Sequence, residues 1–402
     1  MSDYLRLESR SSRKQMLPYL PPEVIALILS RLPAKSAVKC TAVCKAWYAL
    51  IKDPSFISAH LHQAAALQDD YLLLHGLCGR SLNLVYRLYR ENDAFGEYKQ
   101  IHPPVKLGGS SVFLICGMCN GLVCLAGFNS DSYNIILWNP CIQKHFIFPT
   151  PDLPFEGRYK SAIGFGYDSE SDDYKVLLVM PPVVEEDLTE VWLFSLNRCS
   201  WTRLSEVCPK HSCYCLSEVV FVKGALHWHG YLNDGMFTHT MILAYDLCTE
   251  KFHVLNYPET LTNHEHKLCL TKYEESIAVV ATGIFEVLNE ERLELWVMKE
   301  YGEDSSWMKV LHSTGENGKF IFDSELFYVL GVRKNGELLL IVRGDFGHDF
   351  RLATLDLNCH THNHQLKGLG LVGDIDIYAS YFGSNVESLV LLGSGEEDTK
   401  VK

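Results

Sequence analysis

The sequence predicts a small all-α module followed by an all-β propeller of six blades. Three observations predict it. Helical periodicity is confined to residues 20–62. From about residue 71 the chain turns to short β-type runs broken by Gly, Asn, Asp and Pro. Within that region a hairpin-like unit recurs about every 50 residues, the sequence sign of a propeller built from one four-stranded blade per repeat.

The helical part opens on "LPPEVIALILSRLPAKSAVKCTAVCKAW", residues 20–47. Pro21 and Pro22 suit a helix start. Ile25, Ile28, Leu29 and Leu32 follow at helical spacing, and Val24 and Leu27 widen that stripe to well over half the helix. Pro33 stops it. Ser36 reads as the N-cap of a second helix whose one face carries Cys40, Val43, Cys44, Trp47, Leu50 and Ile51. Asp53 before Pro54 reads as a further N-cap. So much apolar surface on a module of about 45 residues exceeds what it can bury alone; either the β domain or a partner must cover the excess.

The hairpin units begin at Asn83, Ile136, Val191, Ile242, Leu293 and Arg351, at nearly even intervals along the chain. Between them lies a second strand pair around a tight turn: "CNGLVCLAG" from Cys119, "VKGALHWHG" from Val222 and "KNGELLLIV" from Lys334. Their Asn-Gly and Lys-Gly pairs are hairpin-turn chemistry. The C-terminal "IYASYFGSNVESLVLL" supplies strands to an early blade and closes the ring. The expected division is a disordered segment 1–16, a helical domain 17–62, a linker 63–70, a propeller 71–393 and a disordered acidic tail 394–402.

Charge is divided unevenly. Residues 1–62 carry a net +5 and the remainder a net −18. An acidic body argues against general nucleic-acid binding, which needs clustered Lys and Arg. The basic head favours an acidic partner. No apolar run reaches the roughly 18–20 residues of a membrane span, and the N-terminus lacks an apolar signal core. The expected location is the cytoplasm, the nucleus or both. The 14 cysteines are scattered and read as reduced core residues.

Leu20-Pro21-x-Glu23, Ile28-Leu29, Leu32-Pro33-x-Lys35-Ser36, Val43-Cys44-Lys45-x-Trp47, Leu50-Ile51 and Asp53-Pro54-x-Phe56 match the F-box in order and spacing. The rest resembles the F-box-associated, kelch-like propeller of plant F-box proteins, carried by "LWNP", "GFGYD" with "DDYKVL", and "GALHWHG". The double-glycine kelch signature is absent from the blades, and small residues (Ala37, Cys40, Thr41, Ala42) stand where the family often has larger or basic ones. The resemblance implies a substrate receptor of an SCF-type cullin–RING ubiquitin ligase, itself without catalytic chemistry or cofactor. Its F-box would dock on a Skp-family adaptor, and through it a cullin and RING protein, while the propeller holds a target protein. The residues expected to bind the adaptor are Leu20, Pro21, Ile25, Ile28, Leu32, Pro33, Val38, Val43 and Trp47, some of which must instead form the module's own core. A propeller face rich in Trp and Tyr could alternatively bind a glycan, and an F-box protein can act outside any ligase.

Other constellations point to weaker chemistry. His360, His362 and His364 alternate as strand-mates would, beside Cys359, and Cys208, His211, Cys213 and Cys215 cluster without the paired spacing of a zinc knuckle. Both read as turns or core residues rather than metal sites. His227, Trp228 and His229 alternate on a strand with one face in the core. His264 and His266 read as a solvated loop. No phosphate-loop, dinucleotide, zinc-protease or serine-hydrolase motif occurs.

Overall fold

A computed structural model describes residues 20–66, 71–78, 84–92, 96–104, 112–128, 133–149, 161–180, 189–205, 212–213, 219–233, 238–261, 267–285, 290–314, 327–343, 350–357, 367–371 and 375–392. The segments expected to be disordered, 1–16 and 394–402, lie outside these residues.

Four helices form the N-terminal module: α1 (Pro22–Ser30), α2 (Ala34–Cys40), α3 (Lys45–Lys52) and α4 (Pro54–Ala66). Pro22 occupies the first turn of α1, where its missing N–H costs nothing. The second predicted helix is two helices. Ser36 lies inside α2 rather than capping it, because the chain already enters the helix after Pro33. The break between α2 and α3 also has a local cause. The Thr41 hydroxyl donates to the Val38 carbonyl at 2.7 Å, and the Val43 amide donates to Cys40, three residues back. Cys44 is then extended. Asp53 does cap α4, accepting the Ser55 amide at 2.9 Å; the Ser55 hydroxyl and that amide hold its carboxyl below the usual range. Helix α4 runs to Ala66, into the stretch read as a linker.

Among the described residues twenty-five strands follow, in six antiparallel sheets. Blade 1 contains β1 (Tyr71–Cys78), β2 (Leu84–Arg90) and β3 (Glu97–Ile101). Blade 2 is β4 (Val112–Cys119), β5 (Leu122–Phe128), β6 (Tyr133–Asn139) and β7 (Lys144–Ile147). Blade 3 is β8 (Ala162–Asp168), β9 (Asp173–Met180), β10 (Glu190–Ser195) and β11 (Ser200–Arg203). Blade 4 has β12 (Ser212–Cys213) and β13 (Val220–Val222) sharing the first position, then β14 (Ala225–Asn233), β15 (Thr238–Asp246) and β16 (Lys251–Asn256). Blade 5 is β17 (Lys267–Tyr273), β18 (Ser276–Phe285), β19 (Glu290–Met298) and β20 (Trp307–Thr314). Blade 6 is β21 (Phe327–Val332), β22 (Glu337–Arg343), β23 (Phe350–Asp356) and β24 (Lys367–Leu371). The last strand, β25 (Ile375–Asn385), pairs with β1 and completes blade 1, with Tyr71 opposite Asn385. The ring therefore closes with one C-terminal strand and three N-terminal strands. The first strands of the blades, β25, β4, β8, β13, β17 and β21, are neighbours in that cyclic order.

Both repeats seen in the sequence have a structural counterpart. The recurring hairpin is the outer strand pair of each blade. In blades 2, 3 and 4 the third strand ends on Asn139, Ser195 or Asp246, and each side chain ties down the following turn. Further along each turn stands a left-handed residue, Gln143 (φ 58°), Cys199 (φ 50°) or Glu250 (φ 55°). The inner turns use Asn120-Gly121 (φ 52° and 75°) and Lys223-Gly224 (φ 49° and 78°), both residues left-handed as a two-residue hairpin requires.

Consecutive blades pack through apolar side chains. One cluster joins blades 2 and 3 around Leu137, Phe165, Leu178 and Phe194; another joins blades 3 and 4 around Leu177, Leu193, Trp228 and Tyr245. The glycines of "GFGYD" permit the second contact, since a Cβ on Gly164 would meet Leu226 at 2.7 Å and one on Gly166 would meet Phe221 at 2.5 Å. Buried charges also cross blades. Lys175 of β9 reaches Asp168 and Glu250 at 3.0 Å each and donates to the Leu247 carbonyl at 2.8 Å. Arg333, after β21, meets Glu91 of blade 1 at 3.1 Å, pairs with Glu337, and donates to the Asn92 carbonyl. That cluster lies where the last blade meets the first.

Candidate docking surface

The helical module has one covered side and one bare side. Its core holds Leu29, Ala34, Ala37, Ile51 and Phe56, with Ile25, Leu32, Val38, Cys40, Trp47, Leu50 and Ile57 packed against them. The same cluster includes Leu389 and Leu392 from beyond β25, and Cys141 and Ile142 from the β6–β7 turn. The propeller thus covers part of the module. Burying Leu389 and Leu392 contributes about 1.5–3 kcal/mol each. His60 of α4 is buried and donates from Nε2 to the Leu32 carbonyl at 2.8 Å, fixing the α1–α2 connection. The Ala34 amide at the head of α2 donates to the Glu387 carboxylate at 2.8 Å.

The bare side is apolar. Among the described residues nine large hydrophobic side chains are exposed, and six of them fall between residues 20 and 48: Leu20, Val24, Leu27, Ile28, Val43 and Tyr48. Val24, Leu27 and Ile28 lie along the exposed side of α1, with Leu20 just ahead of it, whereas Ile25 and Leu29 of α1 and Leu32 just after it face the core. A patch of this kind on a globular domain marks a contact site. Lys35, Lys39 and Lys45 are exposed on the adjoining helices, and the Lys52 ammonium lies 4.6 Å from the Tyr48 ring centre.

The nine residues expected to bind an adaptor divide accordingly. Leu20, Pro21, Ile28, Pro33 and Val43 are exposed and available to a partner. Ile25, Leu32, Val38 and Trp47 pack into the module's own core and support the surface from beneath. Val24, Leu27 and Tyr48 were absent from that set although they are exposed. The broadened apolar stripe of α1 was the signal for the first two. Ala37 stands at 0% exposure within the core cluster that also holds Leu389 and Leu392, where a small side chain suits close packing.

The F-box-like family model matches residues 17–63, and the model of the F-box associated beta propeller domain matches residues 87–364. The chain belongs to the F-box proteins with an F-box-associated β-propeller. Among its relatives is F-box protein CPR1 of Arabidopsis thaliana, 30% identical over 314 residues that cover 72% of each chain. Another is F-box/kelch-repeat protein At3g17530 of the same plant, 29% identical over 318 residues, 76% of this chain and 78% of that one. The candidate docking surface is therefore the outer side of the F-box.

The F-box and propeller hold no metal-binding group of three or more His, Cys, Asp or Glu among the described residues. The histidine cluster 360–364 and most of the 208–215 cluster lie outside those residues; Cys213 is in β12. His227 is structural. Its Nδ1 donates to the Val220 carbonyl at 3.0 Å, and Nε2 accepts from the Tyr301 hydroxyl at 2.8 Å. Burial pulls its pKa down to about 4, so the ring is neutral at physiological pH. His229 contacts the Tyr257 hydroxyl at 2.6 Å and is likewise lowered by burial. No described helix is long and apolar enough to cross a membrane.

Proposed function

We propose that this F-box protein is the substrate-recognition subunit of an SCF-type cullin–RING ubiquitin ligase. The F-box docks on a Skp-family adaptor, which joins it to the cullin and RING protein inside the cell, and the propeller holds a target protein. One observation carries the reading: two-thirds of the large exposed apolar side chains among the described residues sit on the F-box, on the side the propeller leaves bare. The receptor contributes no bond chemistry. It raises the concentration of target lysines near the charged ubiquitin carrier.

Chain topology supports a division of faces. The F-box rests on the Cys141–Ile142 turn between the third and fourth strands of blade 2. Antiparallel pairing puts that turn and the first-to-second-strand turns on one face of the ring. The connections between blades leave from the other face, which is where the target is held.

The test is affinity purification of tagged protein from plant cells with the proteasome blocked. A Skp-family adaptor and a cullin should co-purify with the wild type and vanish with Leu27→Asp/Ile28→Asp. Recovery of adaptor with both proteins, or with neither, sinks the reading. Adaptor without cullin would favour action outside a ligase.

A further inference from the structure

The segment that follows β25 belongs to both domains at once. Between Glu387 and Leu392 it sends side chains in two directions. Leu389 and Leu392 enter the F-box core, while Leu391 enters the cluster between blades 2 and 3, with Val390 packed beside it. Glu387 holds the first amide of α2. The segment is fixed to the propeller by Asn139, which is 0% exposed at the end of β6. The Asn139 carboxamide nitrogen donates to the carbonyls of Ser388 and Val390, both at 2.9 Å. Its oxygen accepts the amides of Cys141 and Ile142, whose side chains also meet the F-box core. Gly121 in the β4–β5 turn lies beneath, and a Cβ there would overlap Val386 and Ser388. Leu391 is held at φ 72°, a conformation a leucine adopts only when its surroundings impose it.

The path of the chain gives this geometry a consequence. Residues 386–392 reach blade 2 by leaving β25, and β25 is placed by pairing with β1 to close the ring. The F-box core, at the start of the chain, is therefore completed by a segment synthesised after every blade, and only where a closed ring delivers it.

We propose that residues 386–392 are a latch that makes the F-box adaptor surface conditional on a closed propeller. A receptor whose ring is open or truncated retains every residue of the F-box sequence but presents α1 to α3 on an incomplete core. The latch also fixes the F-box against blade 2, which sets the direction in which the propeller faces the rest of a ligase. The adaptor part of this inference rests on the proposed function; the coupling of the two domains does not.

Hydrogen exchange on the full chain separates the two. The variants are a chain ending at residue 385 and the full-length Leu389→Asp/Leu392→Asp. The expected result in both is at least tenfold faster exchange of amides in α1, α2 and α3, with β9, β14 and β18 as protected as in the wild type. Binding of a recombinant Skp-family adaptor should fall at least tenfold in the same variants. Unchanged protection of α1 to α3 in both variants overturns the latch. So does loss of protection throughout the blades in both, which would make the segment part of the ring alone. If the wild type binds no adaptor yet the helices lose protection as described, the latch stands and the ligase reading falls.

Discussion

Asn139 grips Val390 across the boundary between the two domains: the carboxamide nitrogen lies 2.9 Å from the carbonyl oxygen, and the asparagine is fully buried. In sequence the two are 251 residues apart. Both ends of the amide are used, its nitrogen on the C-terminal segment and its oxygen on the turn beneath the F-box. An asparagine suits this place because its side chain offers donors and an acceptor together.

Replacing Asn139 should therefore cost more than a typical surface change. Asn139→Ala strands the buried Ser388 carbonyl, the partly buried Val390 carbonyl and two partly buried amides, at about 1–3 kcal/mol for each group left without water. A loss of about 3 kcal/mol is expected in chemical denaturation. Asn139→Asp should be at least as damaging, because it keeps the acceptor for Cys141 and Ile142 but turns a lone pair toward Ser388 and Val390. A near-neutral Asn139→Asp would show that the donor half contributes little.

Two glycines with the same backbone conformation should respond differently to alanine. Gly121 (φ 75°) lies against Val386 and Ser388, whereas a Cβ on Gly224 (φ 78°) meets nothing within 4 Å. Gly224→Ala should lose only the roughly 1–2 kcal/mol of a left-handed alanine. Gly121→Ala should lose at least twice as much and loosen the 386–392 segment. Equal melting-temperature shifts in the two variants would contradict this.

Neighbouring leucines of α1 should separate binding from stability. Leu29 is 2% exposed and Leu27 is 50% exposed. Leu29→Ala should destabilise the F-box by about 2–5 kcal/mol, as core truncations do. Leu27→Ala should stay within about 0.5 kcal/mol of the wild type while weakening adaptor binding measured by calorimetry.

Lys175 and Asp168 form a buried ion pair at 3.0 Å. Burial pushes the Asp168 carboxyl up, but the Ser171 hydroxyl, the Lys175 ammonium and the Glu170 amide together hold it below the usual value. Lys175→Met should cost about 3–5 kcal/mol by leaving that carboxylate unpaired. Adding Asp168→Asn should recover part of the loss in a double-mutant cycle. Because the folded pKa is depressed, the stabilisation is complete above the unfolded value of about 4 and is lost as pH falls through the folded one.

His227 adds a second acid sensitivity of different origin. Its folded pKa of about 4 lies below the ordinary 6.5, so the unfolded chain binds the proton first. The His227 contribution to stability should fall as pH drops from about 6.5 to about 4 and then level off, with up to one proton taken up by this ring on unfolding; His229, lowered likewise, adds to the same window. His227→Gln should flatten that slope in denaturation midpoints measured across the range. An unchanged slope would mean that His227 takes up its proton as readily in the folded protein as in the unfolded chain.

Much of this molecule was legible in its sequence, because the informative signals were local. Turn residues such as Asn120-Gly121 specify their own backbone, and short continuous apolar runs specify strands buried on both sides. Regular repetition of those runs then specifies blades, since each sheet must cover its neighbour. The same logic gave the F-box its helices, apart from the Thr41–Val43 break, where a side-chain hydroxyl competes with the helix. What sequence could not sort was the inner and outer side of that module. Ile25 and Ile28 belong to one apolar stripe, yet one packs inward and the other faces solvent. That choice was made by the cluster Ile25 joins, built from the other helices together with Leu389 and Leu392, far along the chain, whose position depends on β25 closing the ring. Local chemistry thus determined the elements and the family. The tertiary structure alone decided which apolar surface is covered by the propeller and which is left for a partner, because burial is a property of what the chain brings together.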